Sequence, residues 1–181
     1  MRDMNKKKAF TLIELLVVLT IFGVIILTAL YTLGRSMQQV RLQMTVEQAM
    51  SDLRFDQNLV KSGQVVEDGV RCLGGSFSVE DSFYQRVAAL YSEGCGEFVG
   101  SNESSYSTGV ELTEITSDDG TVYDSVNVIF EPPSGRVVFE DGVENPIVAS
   151  SLNFNFSYTL DDEYSHVRVM TVSRSGQITV N

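Results

Sequence analysis

Apolar residues follow three different patterns along the chain, and the first is an uninterrupted run. No charged residue occurs from position 15 to position 34. Twenty residues of helix extend about 30 Å, the thickness of the hydrocarbon layer of a bilayer. A secretory signal has a shorter apolar core that is followed by a small-residue cleavage site, and no such site closes this run. We therefore expect a membrane-spanning helix that the mature protein keeps.

The second pattern begins after Arg35, where apolar residues recur mostly every three or four positions. This period predicts an amphipathic helix, and the run before it continues into it without a break. We predict one helix from about residue 10 to residue 61, with Ser62-Gly63 as the stop, and its second half lying across a sheet. The predicted core-facing residues are Met37, Val40, Met44, Val46, Met50, Leu53, Leu59 and Val60.

The third pattern has a period of two and starts at Val110. Residues 126–130 and 137–139 flank a Pro/Gly turn, residues 152–158 alternate, and residues 167–172 and 178–180 flank Gly176, so antiparallel strands are predicted. We expect strand, loop and irregular structure from 65 to 109, with a short helix at 81–91. The predicted fold class is α+β, a long N-terminal helix packed on a C-terminal antiparallel β-sheet.

The charge of the chain is strongly acidic outside its first residues. The formal net charge is −11, and it becomes −14 without residues 1–9, which carry +3. From Glu97 to Glu163 there are fourteen Asp or Glu residues against one Arg136, and no lysine follows Lys61. Because nucleic-acid affinity depends on Lys and Arg that neutralise phosphates, nucleic acid is a disfavoured partner.

The two cysteines, Cys72 and Cys95, lie after the apolar run. The basic block Lys6-Lys7-Lys8 before that run is expected to stay in the cytoplasm, which places both cysteines outside it, where disulfides persist. A bridge would close a loop of about 24 residues and contribute about 3 kcal/mol in the chain-entropy model. Two unpaired thiols are the alternative. A zinc site is disfavoured, because two thiols and the distant His166 are too few ligands.

Glu14 is the unusual residue of the apolar segment. An ionised carboxylate at membrane depth costs about 2.5 to 3.5 kcal/mol, and no basic side chain lies one helical turn away. Its partner should therefore come from another subunit or from a newly exposed amine. The alternative is a position among the lipid headgroups.

The segment Lys8-Ala9-Phe10-Thr11-Leu12-Ile13-Glu14, followed by about twenty apolar residues, resembles the class III signal of type IV pilins and type II secretion pseudopilins. The resemblance implies that prepilin peptidase cuts between Ala9 and Phe10 and N-methylates Phe10. Glu14 would then pair with the Phe10 amine of a neighbouring subunit during assembly. Most members have glycine where this chain has Ala9, which implies slower processing.

The resemblance also divides the chain. It implies a cleaved leader at 1–9, a transmembrane and polymerisation helix at 10–34, an amphipathic continuation at 35–62, and an acidic extracytoplasmic head at 63–181. The expected protein is no enzyme and has no cofactor; it is a structural subunit in the inner membrane and then in a fibre. Its expected partners are other subunits, prepilin peptidase, an inner-membrane assembly platform and membrane lipid.

The strand layout of residues 126–181 is similar to H-type pseudopilins and FimT-like minor pilins. Some of those bind DNA through a basic C-terminal segment, so a DNA-binding minor pilin of a competence pilus is the alternative, with Arg168 and Arg174 as the candidate residues. A membrane-tethered binding or hydrolytic domain with a coincidental pilin-like start is a further class.

Other candidate chemistry is weaker. His166 could act as a general base beside Ser165 and the acidic residues 161–163, although an exposed strand residue is the simpler interpretation. Asp118-Asp119 and residues 161–163 offer oxygen ligands for calcium, but neither follows the EF-hand spacing, and acidic residues beside Gly120 also form ordinary turns.

Overall fold

The computed structural model describes residues 11–63, 71–79, 81, 83–90, 95, 99–107, 109–143, 145–159 and 165–181. One helix, α1, covers Leu12–Ser62. Ten strands follow: β1 Arg71–Ser78, β2 Phe83–Leu90, β3 Val99–Ser105, β4 Val110–Ser117, β5 Val122–Tyr123, β6 Ser125–Glu131, β7 Arg136–Asp141, β8 Ser151–Thr159, β9 Ser165–Ser173 and β10 Ile178–Val180. The predicted α+β class is confirmed.

The chain forms two compact units, residues 1–38 and residues 39–181. The predicted head at 63–181 lies within the second unit, and from here on the head means residues 39–181. The helix ends where the sequence predicts, since Gly63 has a φ of 63°, a left-handed conformation that stops an α-helix and that glycine adopts without strain.

Within the head, α1 buries one face. Leu42, Val46, Ala49, Leu53 and Val60 on this face are at most 3% exposed and belong to the main core. The predicted burial of Val46, Leu53 and Val60 is confirmed.

The predicted burial of Met37, Val40 and Met44 is wrong, since these side chains are 51–64% exposed. Their own spacing of three and four residues is helical, but Leu42 and Val46 lie on the other side of the helix. The helical spacing predicts a row of apolar residues along one face of the helix. It does not show which of two such rows packs against the sheets.

The strands form two five-stranded sheets where the sequence suggested one. Sheet 1 has the order β3-β2-β1-β6-β7, sheet 2 has the order β10-β9-β8-β4-β5, and neighbouring strands are antiparallel. The hairpins predicted around residues 131–136 and Gly176 are present as β6–β7 and β9–β10. The two sheets share one core, because the rings of Phe77 in β1 and Phe154 in β8 have centroids 4.9 Å apart.

The helix predicted at 81–91 is wrong. β2 occupies this segment and pairs with β1 on one side and β3 on the other. Tyr84 and Val87 are both buried, and their spacing of three resembles a helical period. In a strand with both faces covered, apolar residues need not alternate. The pairing of β2 with β1 and β3 therefore outweighs the helical spacing of its apolar residues.

Cys72 and Cys95 form a disulfide with Cα atoms 5.8 Å apart. Cys72 and Ile129 are fully buried and form a small second cluster, against which Cys95 and Val138 pack. Ile129 alternates with Val128 and Phe130 of the main core, so the cystine covers the opposite face of sheet 1. This explains why Ile129 is apolar although it faces away from the main core.

Gln57 of α1 links the helix to both sheets. Its Nε2 donates hydrogen bonds to the carbonyl oxygens of Gly135 (3.3 Å) and Gly176 (2.9 Å). Gly135 lies in the β6–β7 turn of sheet 1, and Gly176 lies in the β9–β10 turn of sheet 2. A Cβ atom on Gly176 would lie 2.2 Å from Gln57 Nε2, so this turn requires glycine for space as well as for its φ of 86°.

A charged pair joins α1 to β2. The Asp56 carboxylate is 2% exposed and accepts hydrogen bonds from the Arg86 guanidinium, including one of 3.1 Å from Nε. Burial raises the pKa of Asp56, and the hydrogen bonds from Arg86 oppose that effect. Beside this pair, Tyr84 donates to the Asp52 carboxylate, and burial, with a further contribution from Asp52, raises the pKa of the phenol.

Replacing Arg86 should strongly destabilise the head. We expect Arg86→Met to lower the free energy of unfolding by about 3 kcal/mol, because it leaves the Asp56 carboxylate buried without its cation. Adding Asp56→Leu should recover most of that loss, because the double variant has no charge to desolvate. Urea unfolding of the full chain in detergent micelles, followed by near-UV circular dichroism, measures both. Arg41→Met at an exposed helix position is the control and should stay within about 0.5 kcal/mol. Equal losses of unfolding free energy for Arg86→Met and Arg41→Met would contradict the role of Arg86 as the partner of the buried Asp56 carboxylate.

Two glycines with the same backbone conformation should respond differently to alanine. Gly120 and Gly176 both have a φ of 86°, but a Cβ on Gly120 meets nothing within 4 Å. Gly120→Ala should cost about 1 kcal/mol for the left-handed conformation. Gly176→Ala should cost about 2 to 3 kcal/mol, because it also displaces Gln57 from its two carbonyl acceptors. The same urea measurement compares them, and equal costs would show that the Gln57 contacts contribute nothing.

Candidate functional site

The first part of α1 is an apolar surface without a protein covering. Every side chain from Thr11 to Gly34 is exposed, and the most apolar 18-residue stretch of the helix has no buried residue. Leu12 is 82% exposed and Ile13 is 71% exposed. In the described part of the chain, α1 is the one helix long and apolar enough to cross a membrane.

Three threonine hydroxyls and the N–H groups of Glu14 and Leu15 are satisfied within this segment of the helix. Thr11 precedes the first turn, and its carbonyl oxygen accepts from the N–H groups of Glu14 (3.1 Å) and Leu15 (3.2 Å). The Thr11 hydroxyl also accepts weakly from the Glu14 N–H, at 3.4 Å. Further along, the hydroxyls of Thr20, Thr28 and Thr32 donate to carbonyls three or four residues earlier. A helix whose hydroxyls are bonded in this way can lie in lipid without unpaired donors.

Glu14 is the one acidic or basic residue between Thr11 and Gly34. Its side chain is exposed, and among the described residues its carboxylate has no hydrogen bond or ion pair. A carboxylate in the first turn is favoured by the helix dipole, but by less than the cost of membrane burial. The candidate site is therefore this carboxylate together with the surrounding apolar surface. Ala9 and Phe10, predicted for cleavage and methylation, lie outside the described residues, as does the leader.

The two candidate DNA-binding arginines have different environments. Arg168 is exposed at the start of β9. Arg174, in the β9–β10 turn, donates from Nη2 to the carbonyl oxygen of Ile147 (2.8 Å). It also lines a surface cavity of about 480 Å³ together with Asp118 and Asp119. The structure therefore does not bring the two arginines together as one cationic patch, and Arg174 is engaged in holding the fold.

The candidate calcium and base residues are placed as follows. Asp118 accepts from the Ser150 N–H (3.1 Å), and Asp119 accepts from the Ser117 hydroxyl and the Thr121 N–H. The hydrogen bond from Ser117, followed by those from Thr121, lowers the pKa of Asp119. Asp119 thus acts as a turn acceptor, whereas Asp118 accepts from a residue that is distant in the sequence. His166 lies on β9, partly exposed, and residues 161–163 lie outside the described part. Within that part, no group of three or more His, Cys, Asp or Glu residues is arranged to hold a metal ion.

The sequence reasoning missed the role of Thr11. The spacing Thr11-x-x-Glu14 matches the start of a capping box, and that signal could have placed the helix N-terminus at Leu12. It also missed Arg86 as the partner of α1, because nothing local in β2 shows which carboxylate a long-range pairing will bring near.

Comparisons with known proteins match the same part of the chain. Residues 4–30 match the family described as the prokaryotic N-terminal methylation motif. No curated protein and no solved structure matches the chain. The matched residues include Glu14 and most of the exposed apolar helix. The chain therefore carries the N-terminal signal of type IV pilin-like precursors that prepilin peptidase processes.

Proposed function

We propose that this protein is a minor pilin or pseudopilin that is cleaved after Ala9, methylated at Phe10, and assembled by helix packing into a type IV pilus or type II secretion pseudopilus. The observation that carries the proposal is the lone carboxylate of Glu14 on a fully exposed apolar helix, inside the matched motif. The sequence pattern of residues 126–181, which resembles that of H-type pseudopilins and FimT-like minor pilins, favours a minor subunit.

The apolar helix supports a part in assembly as well as in anchoring. As a helix, apolar residues 15–34 are long enough to cross a bilayer. Neighbouring helices of the same kind can replace the lipid around them. Van der Waals packing and hydrogen bonds then hold the helices together, since lipid tails are as apolar as leucine. The apolar surface of the helix, which lipid covers before assembly, can therefore pack against the same helix of a second copy or of a related subunit.

Glu14 supplies the selectivity of this packing. Cleavage between Ala9 and Phe10 would create an amine four residues before Glu14, and the amine of a neighbouring subunit would reach the same depth after a shift along the fibre axis. Two opposite charges at about 4 Å attract more strongly in a low-dielectric layer than in water. The cost of the unpaired carboxylate in lipid thus favours extraction into the fibre.

The head is proposed to have a structural role. We infer no catalytic activity, and the energy for assembly would come from a separate ATPase that acts through a platform protein in the membrane. The acidic head would lie outside the cytoplasm and meet other subunits. Neutral or basic surfaces on those subunits would suit it best.

The DNA-binding alternative has one favourable observation, the exposure of Arg168. Two observations oppose DNA binding, namely the net charge of −11 and the hydrogen bond from Arg174 to the carbonyl oxygen of Ile147. A few isolated cations on an acidic surface neutralise few phosphates, so duplex binding at physiological salt should be weak. Retained binding that is lost with Arg168→Ala would overturn this ranking.

Removing the carboxylate should separate membrane insertion from assembly. Glu14→Leu should leave the protein in the membrane, because the helix becomes more apolar, and should reduce its recovery in sheared fibres at least about tenfold, the equivalent of 1.4 kcal/mol. Immunoblots of membrane and sheared fractions measure both. Glu47→Leu, which removes an exposed carboxylate further along α1, is the control and should be recovered normally. Unchanged recovery of Glu14→Leu would count against the proposal.

The mature N-terminus tests processing directly. Mass spectrometry of the protein from its native host should find a chain that begins at N-methylated Phe10. Ala9→Gly, which introduces the residue most pilins carry, should raise the cleaved fraction. If variants blocked at Ala9 and Phe10 keep full function, the protein is instead a membrane-tethered domain with a coincidental signal.

A further inference from the structure

A surface cavity of about 480 Å³ lies at one end of sheet 2. Strands β4 and β9 both pair with β8, so the β4–β5 turn and the β9–β10 turn flank the chain where it enters β8. Both turns and this entering segment, residues 148–150, line the cavity. The volume is within the range of about 300 to 1,000 Å³ that small-molecule sites have.

The two turns bring opposite charges to the cavity. Asp118 and Asp119 belong to the β4–β5 turn, and Arg174 belongs to the β9–β10 turn. In the part of the chain that the structure describes, Arg174 forms no ion pair with either carboxylate. A ligand that carries a positive and a negative group can therefore pair with both turns at once.

Each charged group is held by the protein and keeps hydrogen-bonding capacity. Asp118 and Asp119 accept the hydrogen bonds that fix them through Oδ1, and a carboxylate offers about four acceptor positions. Arg174 donates one of its five N–H groups to the carbonyl oxygen of Ile147 and keeps four. Because these side chains are already fixed, little of their conformational entropy is lost when a ligand binds.

The segment between the two turns has free backbone groups. Val148 and Ala149 line the cavity, and no described residue is hydrogen-bonded to their backbone N–H or C=O groups. Val148 is 87% exposed, so its side chain adds an apolar contact surface. Free main-chain groups beside an apolar side chain suit an extended peptide, which binds by main-chain hydrogen bonds.

The separation of the turns indicates the length of the ligand. β4 and β9 are two strand spacings apart, or about 10 Å, and the charged side chains shorten this gap. An extended chain adds about 3.3 to 3.6 Å per residue. A single amino acid is therefore too short to place its ammonium group at one turn and its carboxylate at the other, whereas two or three residues span the gap.

We propose that this cavity binds a zwitterionic peptide of two or three residues, with its ammonium group at Asp118 and Asp119 and its carboxylate at Arg174. A guanidinium binds a carboxylate through two parallel hydrogen bonds, and a carboxylate accepts from an ammonium group. The site gives the head a ligand-binding role that does not depend on the proposed fibre assembly.

The test uses the full chain in detergent micelles and three peptides. These are trialanine, N-acetyl-trialanine, which lacks the ammonium group, and trialanine amide, which lacks the carboxylate. Two-dimensional NMR follows the backbone amides of residues 148–150. Trialanine should shift these amides saturably, and each capped peptide should bind at least about fivefold more weakly. Capped peptides that bind as well as trialanine, or no shift at millimolar trialanine, would overturn the proposal. Shifts caused by calcium chloride and not by trialanine would assign the carboxylates to a metal ion, and would also overturn it.

Removal of the carboxylates tests the ammonium end. Asp118→Asn combined with Asp119→Asn keeps an oxygen that can accept the existing hydrogen bonds and loses only the charges. This variant should bind trialanine at least about fivefold more weakly and N-acetyl-trialanine unchanged, because the acetylated peptide has no ammonium group to pair. Glu111→Gln combined with Asp124→Asn removes two exposed carboxylates that do not line the cavity, and this control should bind trialanine normally. Equal weakening of trialanine and its acetylated form would show a lost shape and no lost charge pair, and would contradict the proposal.

Arg174→Gln tests the carboxylate end. It removes the guanidinium charge, so trialanine should bind at least about fivefold more weakly, while trialanine amide should bind as it does to the unchanged protein. Near-UV circular dichroism monitors folding, and the carboxylate variant decides the proposal if Arg174→Gln unfolds the head. A folded Arg174→Gln protein with full affinity for trialanine would overturn the proposal.

Discussion

The exposed apolar surface at the start of α1 is the constraint on which the rest of this molecule depends. Sixteen large apolar side chains between Leu12 and Leu33 are 42–82% exposed. Full burial of one such side chain is worth about 1.5 to 3 kcal/mol, so even partial exposure of sixteen exceeds the about 5 to 15 kcal/mol by which a domain is stable. Covering this segment with lipid or with other helices is therefore strongly favoured over leaving it in water.

The same helix meets polar partners of a different kind inside the head. Asp56, Gln57 and Thr45 are buried, and each has a defined hydrogen-bond partner. Removal of one partner from such a site leaves the other desolvated and unpaired, which costs more than the bond was worth. Glu14 differs from these residues. The buried polar groups of the helix are satisfied within the head, whereas the Glu14 carboxylate has no partner among the described residues.

Local patterns predicted those parts of the fold that local physics decides. The helix stop at Ser62-Gly63, the alternation of β8 and the β9–β10 turn at Gly176 depend on neighbours in the chain, and the sequence showed all three. The wrong elements depend on distant residues. β2 was read as a helix because its burial on both faces comes from other strands, and Met44 was assigned to the core because amphipathic spacing does not show which stripe the sheets cover. For the candidate site, the motif identified Glu14. The pairing of Arg86 with α1, which belongs to the fold, could not be predicted, because only the register of the sheet brings β2 against the helix.

Three arginines of the head bond to acceptors within it. Arg86 pairs with Asp56, Arg54 donates to the carbonyl oxygen of Ile178, and Arg174 donates to that of Ile147. Each engaged guanidinium is less available to an outside anion, because its donors are already directed at an acceptor. The guanidinium donors open to an outside anion are therefore fewer than the residue count suggests. Arg168 is one of the arginines that remain exposed, and isolated exposed cations of this kind neutralise few phosphates.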